Sequence, residues 1–232
     1  MEIKFYPSSK EVEDFLELPK SAKLLIPEWY KKSAIFDYNN PEFDSNQNIS
    51  NFTLKSCPAF LDSLMSGYIQ STWCDIYIEK NDDGSVNWRT PEGLSIMSVR
   101  NKVSVPISQS YLDAEFVWLR PWIPITPEGY SVLVTHPLNR VDLPFTTLSG
   151  VLDTDSGHSV PWGKIPFYLN KDFSGLIPAG TPMFQITPFK REDWTVSAEK
   201  FNQKHMDKKI FERNQKFWNF YKDLFWKRKK YN

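Results

Sequence analysis

Between positions 118 and 162 the chain concentrates residue types that bind ligands or move protons. Histidine and carboxylate side chains transfer protons near neutral pH, and arginine binds anionic groups through paired N–H donors. Tryptophan rings are typical of the apolar walls of small-molecule pockets. The candidate ligand-binding residues are Trp118, Trp122, His136, Asn139, Arg140, Asp153, Asp155, His158 and Trp162. A tryptophan-rich core explains the rings equally well, and turn capping is the favoured interpretation of the two aspartates.

Metal and nucleophile chemistry have weaker support. His205 and Asp207 have the spacing of two ligands of a non-haem iron site, but no histidine follows them and their segment is a predicted helix. Cys57 and Cys74, the only cysteines, lack the spacing of a closed zinc site, and we expect them to be reduced and packed. The sequence also lacks the motifs of a glycine-rich phosphate loop and a nucleophile elbow. It therefore predicts no catalytic residue, no metal and no cofactor, and favours binding over catalysis.

Composition narrows the class of protein further. The 232 residues include 28 basic and 28 acidic side chains, so bulk charge does not make the chain a general binder of polyanions. An apolar content of 41% is enough for a packed core and excludes a disordered chain. The sequence has neither the apolar run of a signal peptide nor a run of about 18 apolar residues that would span a membrane. We therefore expect a cytoplasmic protein with no membrane contact.

Short strands separated by proline or glycine must position the candidate residues. The 17 prolines argue against long helices and a central parallel sheet, and favour a mainly β fold such as a sandwich or barrel. Residues 59–67 predict a short helix. Residues 71–89 predict a hairpin, in which Trp73 and Cys74 lie on a strand paired with 85–89. The other predicted strands are 114–119, 130–136, 151–153, 165–168 and 182–187.

We predict one domain over residues 1–232, made of three parts. These are an irregular docked arm at 1–56, a β core at 57–190 and a C-terminal helix at 195–230 that is either continuous or bent. Residues 199–232 contain 11 Lys and Arg against 4 Asp and Glu, a net charge of +7 that leaves −7 on the rest of the chain. We expect this helix to dock its aromatic side on its own core or on a neighbouring subunit, because isolated helices are marginal in water.

The basic end of this segment is the one place where the sequence leaves nucleic-acid contact open. Trp226, Lys227, Arg228, Lys229 and Lys230 follow one another and are expected to project outward. A solvated tail is the favoured interpretation, and contact with nucleic acid or with an acidic protein is the alternative.

Three segments share an order and spacing with a known superfamily. Residues 123–130 (IPITPEGY) form a proline- and glycine-containing turn before a strand, 150–155 (GVLDTD) form an acidic hairpin, and 177–185 (IPAGTPMFQ) have the pattern I-x-x-G-x-x-x-x-Q. Over 123–189 the chain therefore resembles the dUTPase and dCTP deaminase superfamily. The resemblance implies a β-clip core and a homo-oligomer, for which a trimer is the expected form.

The same segments depart from the family where it binds phosphate. In place of the family's Arg-Ser-Gly turn this chain has 136–140 (HPLNR), and in place of its Tyr-Arg-Gly it has 156–158 (SGH). No glycine follows Gly180, so the glycine-rich C-terminal lid is absent from the sequence. We expect the fold to carry over without dUTP hydrolysis or dCTP deamination.

Short pieces along most of the chain resemble a second family. They are 5–7 (FYP), 26–31 (IPEWYK), 66–69 (SGYI), 73–78 (WCDIYI) and 178–182 (PAGTP). In these pieces the chain is similar to an uncharacterised family encoded by tailed phages and some bacteria. That similarity implies a phage accessory or virion-associated protein in the host cytoplasm, acting by binding or assembly. The alternative is a small-ligand-binding protein or enzyme with a nucleotide-related pocket near 118–162.

Overall fold

The computed structural model describes residues 1–37, 52–81, 83, 85–91, 95–100, 106–156, 163–215 and 220–231, and this part of the chain is mainly β. Its strands are β1 (Lys4–Pro7), β2 (Lys20–Ser21), β3 (Tyr68–Ser71), β4 (Ile76–Lys80), β5 (Val86–Arg89), β6 (Met97–Arg100), β7 (Glu115–Leu119), β8 (Trp122–Ile125), β9 (Tyr130–Thr135), β10 (Phe145–Thr147), β11 (Gly150–Asp153), β12 (Lys164–Leu169), β13 (Gly175–Ile177) and β14 (Pro182–Lys190). Its α-helices are α1 (Lys10–Phe15), α2 (Glu28–Lys32), α3 (Pro58–Met65), α4 (Gln203–Asn214) and α5 (Phe220–Leu224), and short 3₁₀ turns cover Ala22–Leu25 and Leu54–Ser56.

The chain forms two compact units. The β unit comprises Met1–Lys31 and Ser63–Arg191, and it contains all the strands just named. The tail unit comprises Lys32–Asp62 and Glu192–Asn232. No helix in the described ranges is long and apolar enough to cross a membrane.

The largest sheet of the β unit has five antiparallel strands in the order β11-β9-β14-β3-β2. On β9, Leu133 pairs with Val151 of β11 on one side and with Thr187 of β14 on the other. The centre of the sheet is β14, although no described strand follows it in the sequence. Strand β14 contains two prolines, at its first residue and at Pro188. The strands predicted from alternation at 130–136, 151–153 and 182–187 are confirmed.

A four-stranded antiparallel sheet, in the order β10-β12-β7-β6, supplies the aromatic core. The Trp118 ring is fully buried and stacks on Phe167 with 3.7 Å between the ring centroids and 7° between their planes. Phe145 packs edge-on against the same indole, with centroids 4.9 Å apart. The indole Nε1 donates to the Thr147 hydroxyl at 3.1 Å, and that hydroxyl donates in turn to the Met183 carbonyl. This indole is therefore core, with its one polar atom satisfied.

The three-stranded sheet β13-β4-β5 contains the predicted hairpin, which is confirmed with Tyr77 opposite Arg89 and Lys80 opposite Val86. Its first strand is shorter than predicted, and the placement of Trp73 and Cys74 on it is wrong. Residues 72–75 form a bend, because the backbone of Thr72 bonds instead with Gly180 and Thr181 across the molecule. Both thiols, Cys57 and Cys74, are free.

Helix α3 leads into a turn where the neighbouring backbone leaves no room for a side chain. The residue after the turn, Gly67, has a φ of +67°, a conformation that L side chains rarely adopt. A Cβ built at this position would lie 2.2 Å from the carbonyl oxygen of Ile186 on β14. Glycine is therefore required for α3 to approach the central strand of the sheet.

The predicted N-terminal arm contains regular elements that join it to the β unit. Strand β1 pairs with β8, with Lys4 opposite Ile125. The Ser9 side chain caps α1 by accepting from the Val12 N–H, and the Ser8 N–H donates to the Pro121 carbonyl at 2.8 Å.

A helix over the whole of 195–230 is not what the structure shows. Residues 191–202 contain no helix, and α4 begins only at Gln203, where the Asn202 side chain accepts from the His205 N–H at 3.1 Å. Part of the reason is local: Thr195 and Val196 are β-branched, which lowers helix propensity, and the cap that the helix uses is Asn202. Helix α5 is a separate five-residue element.

Part of the basic end makes contacts within the tail unit, although it was expected to project outward. Within the tail unit, the Asp62 carboxylate accepts from the Trp226 indole at 2.8 Å and forms an ion pair with Lys229. Burial and this carboxylate raise the pKa of Tyr231 to about 12. The side chains of Lys227, Arg228 and Lys230 are exposed, as expected.

Candidate functional site

Two polar clusters in the β unit contain most of the described candidate residues. The first, called the His136 cluster below, lies in the turn after β9. His136 Nε2 donates to the Arg140 carbonyl at 2.9 Å, and Nδ1 accepts from the Thr147 N–H at 3.3 Å. A carbonyl can only accept and an N–H can only donate, so the ring is neutral with its proton on Nε2. Burial lowers the pKa of His136, and the nearby Arg140 charge acts in the same direction.

The charged side chain of the His136 cluster is already paired. The Arg140 guanidinium binds Asp142 through two N–H donors at 2.8 and 2.9 Å, and the Trp29 indole donates to the same carboxylate at 3.3 Å. Burial alone would raise the pKa of Asp142, but the Arg140 contacts hold that pKa below its usual value. Asn139, in the left-handed region with a φ of +60°, donates to the Ser63 hydroxyl at 2.6 Å. These bonds give the turn a defined shape with its main polar atoms engaged.

Gln185 joins this turn to helix α3 from the central strand. Its side chain is 1% exposed, and its Oε1 accepts from the Leu138 N–H at 2.8 Å. Its Nε2 donates to the carbonyls of Ser66 and Ser63, at 2.5 and 3.2 Å. The glutamine of the I-x-x-G-x-x-x-x-Q pattern therefore satisfies three backbone groups, and its role in this structure is to position the turn.

The second cluster, called the Arg191 cluster below, holds the two candidate aspartates. Asp153 accepts from the Ser131 hydroxyl at 2.7 Å and lies 3.4 Å from the Arg191 guanidinium. Asp155 accepts from the Gly129 N–H at 2.9 Å and forms a close ion pair with Arg191. The Arg191 and Gly129 hydrogen bonds lower the pKa of Asp155. The capping interpretation of these aspartates agrees with this geometry, with the addition of an arginine that the sequence did not single out.

The structure does not bring the two clusters together. Asp153 pairs with Ser131 at one end of β9, whereas His136 follows the other end of the same strand. Five positions of extended chain separate them by about 17 Å at roughly 3.3 Å per residue. A pocket in which the histidine, Arg140 and Asp153 converge is therefore not formed.

The remaining candidates have other roles or are not described. Trp118 belongs to the aromatic core, and Trp122 is 6% exposed with its Nε1 donating to the Glu17 carbonyl at 2.8 Å. His158 and Trp162 lie outside the described residues. Within the described ranges, no group of three His, Cys, Asp or Glu side chains lies close enough to hold a metal ion.

Sequence reasoning missed Arg120, which is 8% exposed and follows β7 directly. The available signal was a single arginine inside the apolar run 116–125 (FVWLRPWIPI), where a charge is expensive to bury without a purpose.

Searches for relatives provide no assignment for this arrangement. No protein-family profile matches the chain, and no curated protein matches it.

The neutral, buried ring of His136 predicts a pH dependence of stability. The unfolded chain takes up a proton near the ordinary histidine pKa of about 6.5, whereas the folded chain does so at lower pH. The free energy of unfolding is therefore expected to be fully developed above about pH 6.5 and to fall as the pH drops below it.

Urea unfolding at steps between pH 7.5 and 5 measures this decline. His136→Phe is expected to flatten it, and His205→Gln, at an exposed position of α4, serves as the control that retains it. An equal decline in the His136 variant would contradict the prediction.

Proposed function

We propose that this chain is an accessory or virion-associated protein of phage type that acts by assembly rather than catalysis. The phage origin is supported by a resemblance to a family encoded by tailed phages and some bacteria. The resembling pieces are 5–7, 26–31, 66–69, 73–78 and 178–182. The state of two candidate residues supports the non-catalytic role, because Arg140 is bound by Asp142 and Asp155 is bound by Arg191. Each guanidinium is therefore already paired with a carboxylate of the same chain.

For the β unit we propose a β-clip core of the dUTPase type. Three observations support it: Gly129 turns into β9, the acidic segment β11 pairs antiparallel with β9, and Gln185 lies on the strand between β9 and β3. This order of elements matches the order of the three resembling segments.

The observation that carries the assembly proposal is the exposure of large apolar side chains after β14. Trp194 is 88% exposed, Val196 100% and Phe201 72%, and all three lie in the helix-free stretch before α4. Exposed apolar side chains grouped in one segment are typical of protein–protein contact sites. We name residues 192–202 the connecting segment.

A second copy of the chain is the occupant we propose for this segment. Trp194 and Val196 precede the segment 199–232, and Phe201 lies at its start; this segment has a net charge of +7, and the rest of the chain carries −7. Two copies therefore offer each other opposite charges, which orient association even though each exposed pair contributes little. The expected assembly is a homo-oligomer, with a trimer as the expected form from the superfamily resemblance.

Sedimentation equilibrium of the full chain tests this function. The wild-type protein is expected to have a mass that is a multiple of one chain, and the triple variant Trp194→Ser, Val196→Ser, Phe201→Ser the mass of one chain. Association should weaken with added salt, because salt screens exposed charges beyond about 10 Å at 0.1 M.

The matched control replaces three other exposed apolar residues, Leu24→Ser, Leu54→Ser and Val141→Ser, which are 64%, 62% and 92% exposed. This control is expected to keep the wild-type mass. A monomeric wild-type protein at high protein concentration would reject the proposal, and so would a triple variant that still associates.

A further inference from the structure

The β unit has a cavity of about 380 Å³ next to helix α1. Its apolar lining comes from α1, the bend after β3 and the link between β7 and β8, and consists of Val12, Phe15, Leu16, Trp73, Leu119 and Pro121. A dry apolar cavity of about 150 Å³ already holds a benzene ring. The cavity beside α1 is therefore large enough to take up the side chain of a tryptophan.

The mouth of this cavity leaves apolar surface in contact with water. Phe15 is 81% exposed, and Val12, Leu16 and Trp73 are only partly buried. Removing apolar surface from water is favourable by roughly 25 cal/mol per Å², and exposed apolar side chains that lie together are typical of contact sites. The mouth of the cavity therefore favours an apolar occupant.

The α1 wall of the cavity is held in place at the start of the helix. The Ser9 side chain caps α1, and the neighbouring Ser8 N–H donates to the carbonyl of Pro121, which also lines the cavity. A surface that needs no rearrangement loses less free energy on binding.

The connecting segment of the same chain has side chains that suit this cavity. Trp194 is 88% exposed and Val196 is 100% exposed. Residues two positions apart in an extended chain point to the same side, about 7 Å from each other, so both can contact one cavity and its mouth. Tryptophan is also among the residue types that contribute most to the centres of protein–protein interfaces.

Charges at the mouth and in the segment give the contact a direction. Lys164 lines the cavity from β12, and Glu11 lines it from α1. In the connecting segment, Asp193 precedes Trp194 and is exposed. Opposite charges therefore meet when Asp193 approaches the β12 side and not the α1 side. An exposed pair of this kind contributes little affinity but favours one orientation.

We propose that the cavity beside α1 is the surface that receives the connecting segment of a second copy of the chain. Trp194 of one copy enters the cavity of the next, Val196 covers Phe15 at the mouth, and Asp193 approaches Lys164. This inference rests on the proposed assembly and identifies the surface with which the connecting segment pairs.

A contact of this kind has consequences for symmetry. It joins two different surfaces of the same chain and is therefore heterologous, and heterologous contacts close into a ring when the rotation between copies permits it. A trimer is such a ring, in which each copy supplies one connecting segment and one cavity. A contact between two connecting segments would instead be isologous and would produce a dimer.

Sedimentation equilibrium of the full-length variant Phe15→Asp tests the cavity. We expect the mass of one chain at concentrations at which the wild-type protein associates, because the contact would bury an unpaired carboxylate. Phe15 is exposed in the single chain, so the variant is expected to fold, which circular dichroism checks. The matched control Val141→Asp changes a residue that is 92% exposed and does not line the cavity, and it should keep the wild-type mass.

Mixing two defective variants tests the pairing itself. Phe15→Asp retains an intact connecting segment, and the triple variant of the connecting segment retains an intact cavity. Each is expected to have the mass of one chain when alone. An equimolar mixture at high protein concentration is expected to have the mass of two chains, because one complete contact remains between the two variants.

The outcomes separate this inference from the proposed assembly. A wild-type protein that associates while Phe15→Asp keeps the same mass would overturn the cavity contact and leave the assembly standing. A mixture in which both variants stay monomeric would also overturn it, because the two intact surfaces would then have failed to pair. A wild-type protein with the mass of one chain would reject the assembly, and the cavity contact with it.

Discussion

Gly67→Ala is expected to destabilise the β unit by about 2–5 kcal/mol, the sum of the left-handed backbone cost of about 1–2 kcal/mol and overpacking of about 1–3 kcal/mol. The new Cβ would lie 2.2 Å from the Ile186 carbonyl oxygen and 3.1 Å from the Thr187 Cα, and both atoms belong to the backbone of the central strand. A flexible side chain could move aside, but this strand is bonded on both edges. Urea denaturation followed by circular dichroism measures the loss.

Gly180→Ala provides the matched control. Its φ of +86° also lies in the left-handed region, but nothing lies within 4 Å of an added Cβ. This variant should lose only the backbone cost of about 1–2 kcal/mol. If the two variants lose the same stability, the approach of α3 to β14 is not as close as the structure has it.

Trp118→Ala is expected to destabilise the protein by about 3–5 kcal/mol, the usual range for removing a large aromatic side chain from a core. The indole is fully buried between Phe167 and Phe145, so its removal leaves a cavity that strands on both sides hold open. The same denaturation experiment measures the effect.

Trp118→Phe separates packing from hydrogen bonding at this position. It keeps a ring to stack on Phe167 but removes the bond to Thr147, whose hydroxyl still donates to Met183. We expect a loss well below that of the alanine variant. A loss as large as that of the alanine variant would contradict the view that packing dominates.

Local patterns predicted the strands well but did not predict the order in which they pair in the sheets. Alternation and proline breaks identify 130–136 and 182–187 as strands, because burial of one face of a sheet imposes a period of two. The same local pattern gave a wrong prediction at Trp73 and Cys74. There, long-range backbone hydrogen bonds between Thr72 and the residues Gly180 and Thr181 replace the pairing of the predicted strand. The prediction of helix over 195–202 was also wrong. The lack of proline and glycine allows a helix there but does not determine where a helix begins.

The candidate site illustrates why proximity in sequence is a poor guide to proximity in space. His136 and Asp153 are 17 positions apart, yet an antiparallel pairing of β9 with β11 puts the aspartate opposite Ser131 at the far end. The partners that matter come from far along the chain: Arg191 for the aspartates and Gln185 for the turn. Only the three-dimensional order of the strands brings them there, and no local pattern encodes that order.

The central position of β14 also constrains the order of events during synthesis. In the sheet β11-β9-β14-β3-β2, the pair β11-β9 and the pair β3-β2 are joined through β14 and do not pair with each other. On a ribosome, the inner edges of the pairs β11-β9 and β3-β2 therefore stay unpaired until residue 190 has left the exit tunnel. Unpaired strand edges in waiting chains promote aggregation, and pairings of high sequence separation form slowly. Nascent chains stalled before Pro182 should therefore depend on chaperones, and release after Lys190 should let the sheet close in one step.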